Sequence, residues 1–150
     1  MRALATGVVI VTVEVDGRLW GLTINSCCSL SASPPQVLIS LAHTASCRQP
    51  LLDSGRFGLS VLAEGQRELA ELGAVPGGPK HVDVFAERLD DGPAMIAGAL
   101  AHLDCTVSKS FEVSDHTIVI GVVREAVANV AENAPLLYYD RAFHRLGDPI

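Results

Sequence analysis

Aromatic residues are scarce, at 5% of the chain, so packing falls to Val, Leu, Ile and Ala rather than to stacked rings. Charge is thin as well: charged residues make up 19%, the net charge is −6, and no stretch gathers Lys or Arg. Neutralising a phosphate backbone needs a concentrated basic face, so nucleic acid is not expected as a partner. No apolar run reaches the roughly 18–20 residues that cross a bilayer, and no membrane span is expected. The first residues, Met1 to Gly7, lead into a β-branched run that ends at Glu14. No small-residue cleavage site follows, which argues against a signal peptide. The four cysteines, Cys27, Cys28, Cys47 and Cys105, lack CxxC or Cys/His ligand spacing. A cytoplasmic, reduced protein with small buried thiols is expected.

Several catalytic signatures are also missing. There is no Gly-x-Gly-x-x-Gly after a strand, no P-loop and no Gly-x-Ser-x-Gly, which removes the Rossmann and Walker phosphate sites. No two of the five histidines fall at metal-binding helical spacing. His81 and Asp83 could share one side of a strand, but two ligands fall short of the usual three or four, so no metal site is expected. Cys47 has no base beside it in sequence and reads as a buried structural thiol.

What is present is a single domain of 150 residues with 49% hydrophobic composition, enough for a core without metal or disulfide staples. The apolar excess points to a homodimer, because obligate interfaces are richer in apolar surface. Residues 20–36, Trp20 to Gln36, concentrate hydroxyl, amide and thiol groups with no charge at all. A solvated loop would carry Lys, Glu or Asp. This composition suits a wall that hydrogen-bonds a flat polar molecule without adding formal charge.

Along the chain, Gly7–Val15 reads as a strand and Asp16-Gly17 as a type I′ turn, which needs positive φ at both central positions. Arg18–Thr23 is the return strand. Ser33-Pro34-Pro35 cannot continue a central strand, since proline has no N–H to donate. Val37–Leu41 has the composition of a fully buried strand. A helical turn is predicted from His43–Arg48, capped by Thr44 or Ser46 and running to Gly55, with Pro50 tolerated only in its first turn. Phe57–Leu62 reads as a strand, and Gln66–Leu72 as a helix ended by Gly73. Residues 73–81 form a loop and Asp90-Asp91-Gly92-Pro93 a turn. Ala97–Val107 and Thr117–Val127 are long apolar strands joined by a polar connection at Ser108–His116. Leu136–Tyr139 and Ala142–Leu146 close the chain as a hairpin around Asp140-Arg141. Seven or eight strands against two short helices predict a closed β architecture. Without acid–base machinery, such a protein binds passively or lets a cofactor carry the reaction.

An ordered set of motifs adds to this reading. Ala5-Thr6-Gly7-Val8 is followed by Gly21-Leu22-Thr23-Ile24-Asn25-Ser26, then by Ser29-Leu30-Ser31 before Pro34-Pro35. Phe57 to Leu62 with Gln66, Gly98 to Cys105, Ser114 to Gly121 and Pro135 to Tyr139 continue it over nearly the whole chain. The set resembles the short-chain flavin reductase family, the flavin:NAD(P)H reductases of two-component monooxygenases.

The resemblance implies a mainly β fold, an FMN-binding split β-barrel of Greek-key type with a few short peripheral helices, in one domain over 1–150. It implies a homodimer that reduces FMN or FAD with NADH or NADPH and supplies a partner monooxygenase. Carried over by motif, Thr23, Asn25 and Ser26 line the isoalloxazine ring, and Cys27, Cys28 and Ser29 add contacts. His43, Thr44, Ser46, Cys47 and Arg48 hold the ribityl phosphate. Free N–H groups at a helix start, capping hydroxyls and one Arg are chemically suited to that task. Asp115 and His116 lie where nicotinamide docks, and Tyr139 approaches either ring.

Three features depart from the family pattern. Ser114 stands where Gly usually precedes Asp-His, Cys27-Cys28 replaces an aromatic and a hydroxyl residue, and an N-terminal helix common in the family is expected to be short or missing. Two other readings stay open: a non-enzymatic flavin-binding or electron-transfer module, and an interaction domain that has lost flavin.

Overall fold

The computed structural model describes residues 2–88, 94–129 and 133–149; the turn expected at Asp90-Asp91-Gly92-Pro93 lies outside them. The chain runs through β1 (Thr6–Gly7), β2 (Val9–Val15), β3 (Arg18–Ile24), β4 (Cys27–Ala32) and β5 (Pro35–Ala42). Helix α1 (Arg48–Ser54), β6 (Arg56–Val61), and α2 (Arg67–Ala74) follow. Then come β7 (Ala86–Arg88), β8 (Ala94–Ile96), β9 (Ala101–Val113), β10 (His116–Ala128), β11 (Leu136–Tyr139) and β12 (Ala142–Arg145).

Seven strands form one antiparallel sheet in the order β3-β2-β6-β9-β10-β5-β4. Consecutive strands β5 and β6 are separated by β9 and β10, which is the Greek-key crossover. All seven strands send side chains into one core, including Val9, Val11, Val13, Ile39, Leu41, Phe57, Leu59, Cys105 and Val119, with Trp20 and Cys27 at its margin. The sheet is therefore curled around its own interior. Its edges, β3 and β4, are consecutive in the chain and joined only by Asn25-Ser26, without a ladder between them. The barrel is split at the stretch that the composition singled out.

Strand β2 is buried on both faces from Val9 to Val13, which is why apolar residues follow one another there without alternation. Val9, Val11 and Val13 point into the barrel, where Cys47 and Leu51 plug one end. Val8 and Ile10 join a second cluster with Leu69 and Ala70 of α2, Ala94 and Ile96 of β8, and Leu136 of β11. The β7–β8 ribbon is fastened there by the Thr12 hydroxyl donating to Ala94 O at 3.0 Å and by Ile96 N–H donating to Ser60 Oγ at 3.0 Å. Across β6 and β9, Arg56 grips buried Asp104 with two hydrogen bonds of 3.0 and 2.6 Å. The outer edge of β3 is covered by residues 80–82, through Gly21 N–H to Lys80 O and Val82 N–H to Leu19 O. Beside it, Arg18 and the Leu19 N–H hold the Asp83 carboxyl down to about 2.

The Asp16-Gly17 hairpin forms as expected, with positive φ at both residues, and Asp140-Arg141 repeats that geometry. Other expectations are corrected. Val37–Leu41 is not fully buried: Val37, Ile39 and Leu41 face the core, while Leu38 and Ser40 are half-buried on the outer face. Helix α1 starts at Arg48 with Cys47 as its N-cap and no capping side chain, so neither Thr44 nor Ser46 caps it; Pro50 sits in the first turn and Gly55 ends it with positive φ. Gly73 does not end α2, which continues to Ala74. It is glycine because α2 presses on β3 there: a Cβ would sit 3.0 Å from the Thr23 backbone nitrogen. The long strand expected from Ala97 begins at Ala101, and residues 108–113 are strand rather than connection. Their polar composition reflects exposure on the hairpin's far half, not loss of the ladder, which continues to Val113↔His116. Ser29 and its neighbours also form a strand, β4, since pairing with β5 satisfies their backbone.

Candidate active site

The β3–β4 corner forms one wall of a cavity of about 620 Å³. Thr23, Ile24 and Asn25 line it, with Arg67 and Glu71 of α2 opposite and Tyr138, Arg141 and Phe143 of the terminal hairpin closing it. The ring of Tyr138 meets Phe143 edge-on at 5.4 Å, and the Arg67 guanidinium lies 5.9 Å from the Phe143 ring centre. The cavity thus combines aromatic rings and the uncharged β3–β4 corner with the charged side chains Arg67, Glu71 and Arg141. Thr23 Oγ1 is buried and has no hydrogen-bond partner. It is enclosed under α2, where a Cβ on Gly73 would collide with it, so this hydroxyl is not open to the cavity.

From the same corner the chain turns outward. Ser26 Oγ donates to Ser40 O at 2.8 Å and Ser40 N–H returns a bond to Ser26 O, locking the corner to β5. Cys27 is half-buried with its thiol toward the core, and Cys28 and Ser29 are exposed on β4. Burial, and then neighbouring Cys28, push the Cys27 thiol up. Burial likewise pushes Cys105 up to about 12 and Cys47 to about 11, so these thiols stay neutral.

A second group gathers where β5 ends beside the β9–β10 turn. His43 N–H donates to Asp115 O at 2.8 Å, and His116 stands opposite Ala42 in the ladder. His116 Nδ1 and Asp115 Oδ1 are 2.8 Å apart, which leaves Nε2 as the nitrogen available to a ligand. The imidazole hydrogen bond holds the Asp115 carboxyl below the usual carboxylate range. Arg48 reaches from the start of α1 to Thr117 Oγ1 at 2.5 Å and Glu112 Oε1 at 2.6 Å, and His43 Nε2 meets Glu112 Oε2 at 2.6 Å. Thr44 is exposed on the connecting turn, and Ser46 Oγ is buried without a partner.

The fold therefore sorts the sequence-predicted residues into two places. Thr23 and Asn25 share the cavity; His43, Arg48, Asp115 and His116 share the β5–β10 end; Ser26 lies between them along the chain. Cys47 is fully buried in the core, so any ligand contact at that position falls to its backbone. Tyr139 stands outside the larger cavity, stacked edge-on against His144 and lining a smaller hollow with Asn25 and Arg141. Sequence reasoning missed Glu112 and Thr117, treated as part of a polar connection and an apolar strand, and Arg67, Tyr138, Arg141 and Phe143, which only the docking of α2 and the last hairpin brings together. For Glu112, the apolar-polar alternation of Phe111-Glu112-Val113 was the available signal.

Ser114 adopts positive φ at the first position of the two-residue turn that presents Asp115 and His116. A non-glycine residue in the left-handed region costs about 1–2 kcal/mol, against about 0.5–1 kcal/mol for the extra chain entropy of glycine. Ser114→Gly is expected to raise stability by about 0.5 kcal/mol, the difference of these two effects. A urea midpoint that falls instead of rising would show that the serine hydroxyl, not the backbone, secures this turn.

The flavin reductase like domain family matches residues 1–147. A flavin reductase (NADH) of Kitasatospora aureofaciens is 35% identical over 148 residues, covering 97% of this chain and 78% of that protein. The reductase component of a 4-nitrophenol 4-monooxygenase/4-nitrocatechol 2-monooxygenase from Rhodococcus opacus is 37% identical, covering 93% and 74%. Among solved structures, the NADH:FAD oxidoreductase SgcE6 of Streptomyces globisporus superposes with a TM-score of 0.88 at 36% identity, covering 97% of this chain and 89% of that one. The family match over nearly the whole chain and the shared overall fold agree, and the chain belongs to the flavin reductase family.

Proposed function

We propose that this chain reduces flavin with NADH, with the isoalloxazine ring against Thr23, Asn25 and Ser26 and the flavin phosphate at the turn between His43 and Arg48. The observation that carries this reading is a cavity with aromatic walls beside the uncharged corner at Thr23 and Asn25, which can admit a flat polar ring. The edge of a flavin ring offers carbonyl and N–H groups that suit the Asn25 amide at the corner. Bound flavin would supply the hydride-accepting ring, and the chain's residues bind and orient the two nucleotides. Arg67 is paired with Glu71 at 2.8 Å, so Arg141 leaves the cavity with a net positive charge, which favours the negative charge that reduction places on flavin. Asp115 fixes the His116 ring through Nδ1, so Nε2 can meet the nicotinamide amide. No side chain need act as an obligate acid or base.

The choice of NADH follows the names of the relatives, as does a partner monooxygenase that receives reduced flavin. Relatives named for FAD and for FMN both occur, so either flavin fits the reading. Among the described residues no helix is long and apolar enough to cross a membrane, and four free cysteines support a reducing, cytoplasmic setting. The direct check is NADH and NADPH oxidation with FMN, FAD and riboflavin in turn. Flavin-dependent oxidation of NADH is expected. A chain that stays yellow without oxidising NADH is an electron-transfer module; one whose melting temperature does not rise with added flavin has lost the ligand altogether.

A homodimer is part of the same proposal. Phe111 and Val113 are 49% and 47% exposed on β9. They share the outer face of the sheet with Ile118 and Ile120 of β10 and Leu38 of β5, through the pairs Phe111↔Ile118 and Ile120↔Leu38. Contiguous apolar sheet surface of this kind supports burial against a second copy, and the face ends on His116. Light scattering is expected to give twice the 15.8 kDa chain mass, and Phe111→Asp to shift it to the monomer. A monomeric wild type would remove the dimer from the proposal.

A further inference from the structure

Glu112 has no part in the flavin reading so far, yet it holds the residues assigned to the phosphate. It stands on the half of β9 that lies beyond the pairing with β6, which ends at Thr106, so only β10 flanks it. Its side chain is 58% exposed. A surface glutamate of that kind ordinarily makes one loose ion pair worth little. Here three donors converge on one carboxylate: Arg48 Nη2 at 2.6 Å, His43 Nε2 at 2.6 Å, and the Thr117 hydroxyl at 3.1 and 3.2 Å from the two oxygens. Arg48 Nε donates in turn to Thr117 Oγ1, so the hydroxyl proton is directed at Glu112. Thr117 is fully buried and Arg48 is only 20% exposed, which gives the donors a firm base. Partial desolvation pushes the Glu112 carboxyl up, but the bonds from Arg48 and Thr117 outweigh it and hold the group below its ordinary value. The carboxylate is therefore ionised at neutral pH. A guanidinium, an imidazole and a hydroxyl aimed at one oxyanion form a donor set that suits a phosphate equally well.

We propose that Glu112 occupies the phosphate position of the flavin site and acts as an internal competing anion, which must swing into solvent when a phosphorylated flavin binds. This rests on the reading that places the flavin phosphate at His43 and Arg48. The movement asks little of the fold, because Glu112 faces solvent on an edge segment and only side-chain torsions need change. Its consequence is weak discrimination for phosphorylated over unphosphorylated flavin and ready release of the product. A flavin that is to be handed to another protein has to leave, and an anion waiting to retake the donors favours its departure.

The test compares FMN with riboflavin, which differ only in the phosphate, by titrating flavin fluorescence against the full chain. Glu112→Gln keeps size and part of the hydrogen bonding but removes the charge. It is expected to tighten FMN by about tenfold, the scale of one charge-assisted hydrogen bond set free, and to leave riboflavin unchanged. Glu112→Ala should move the FMN-to-riboflavin ratio in the same direction, and thermal melts report whether each variant is folded. If Glu112→Gln tightens both flavins equally, leaves the ratio unchanged or weakens FMN, the competing-anion role is overturned. Arg48→Ala separates this from failure of the underlying reading, since it should weaken FMN selectively. A ratio unmoved by Arg48→Ala means the phosphate lies elsewhere, and both statements fall. A ratio moved by Arg48→Ala but not by Glu112→Gln overturns the role of Glu112 alone.

Discussion

His116→Ala is expected to lower kcat/KM for NADH by about tenfold to a hundredfold, while the FMN dissociation constant changes by less than about twofold. The expectation follows from where the ring stands. His116 is the first residue of β10, paired with Ala42 and Val113, so its backbone is fixed by strands on both sides. Asp115 takes Nδ1 at 2.8 Å, which sets both the tautomer and the ring orientation. The side chain is half-exposed and contributes to neither core cluster, so its removal should leave the melting temperature nearly unchanged. A group that positions one of two nucleotides should affect that nucleotide alone. Steady-state kinetics with varied NADH, beside a fluorescence titration of FMN, separates the two. Full retention of both the rate and the nicotinamide affinity would remove His116 from the mechanism.

Phe57→Ala is expected to destabilise the fold by about 3–5 kcal/mol, a large part of the roughly 5–15 kcal/mol available to a domain. Phe57 is fully buried in the barrel core. Its ring tip presses against β10 where only glycine fits: a Cβ on Gly121 would lie 2.6 Å from Phe57 Cζ. The two positions are a matched pair, one ring and one missing side chain. Gly121→Ala alone should therefore strain the core by about 1–3 kcal/mol. The same change should cost less when Phe57 is first shortened to Leu, which a double-mutant cycle measures. Urea denaturation with an unchanged m-value is the readout. A loss below about 1 kcal/mol for Phe57→Ala would mean that the interior repacks freely around the gap.

What could be read from the chain follows the range of the forces involved. Hairpins were legible because their turns are chemically local, as the positive φ at Asp16 and Gly17 shows. The barrel class was legible from many short apolar strands. Helix ends were less so, because tertiary contacts decided them. Gly73 looks like a helix stop but serves a close approach to Thr23, and Cys47 takes the cap of α1 because the core needs its side chain there. Strand β4 was hidden because an edge strand made of small polar residues has no apolar alternation to display. Within the candidate site, the uncharged corner at Thr23, Asn25 and Ser26 stood out by composition, and the family resemblance gave it a ligand. Glu112 could not be found that way, since its partners Arg48 and His43 lie 64 and 69 positions away in the chain, counted from the residue numbers.

The most direct measurement is a crystal structure of the chain soaked with FMN and NADH analogue. The isoalloxazine ring should lie against Thr23, Asn25 and Ser26, with the phosphate on Arg48 and His43, and the nicotinamide within reach of His116. A ring seated away from the β3–β4 corner would contradict the placement of the reaction at the split of the barrel.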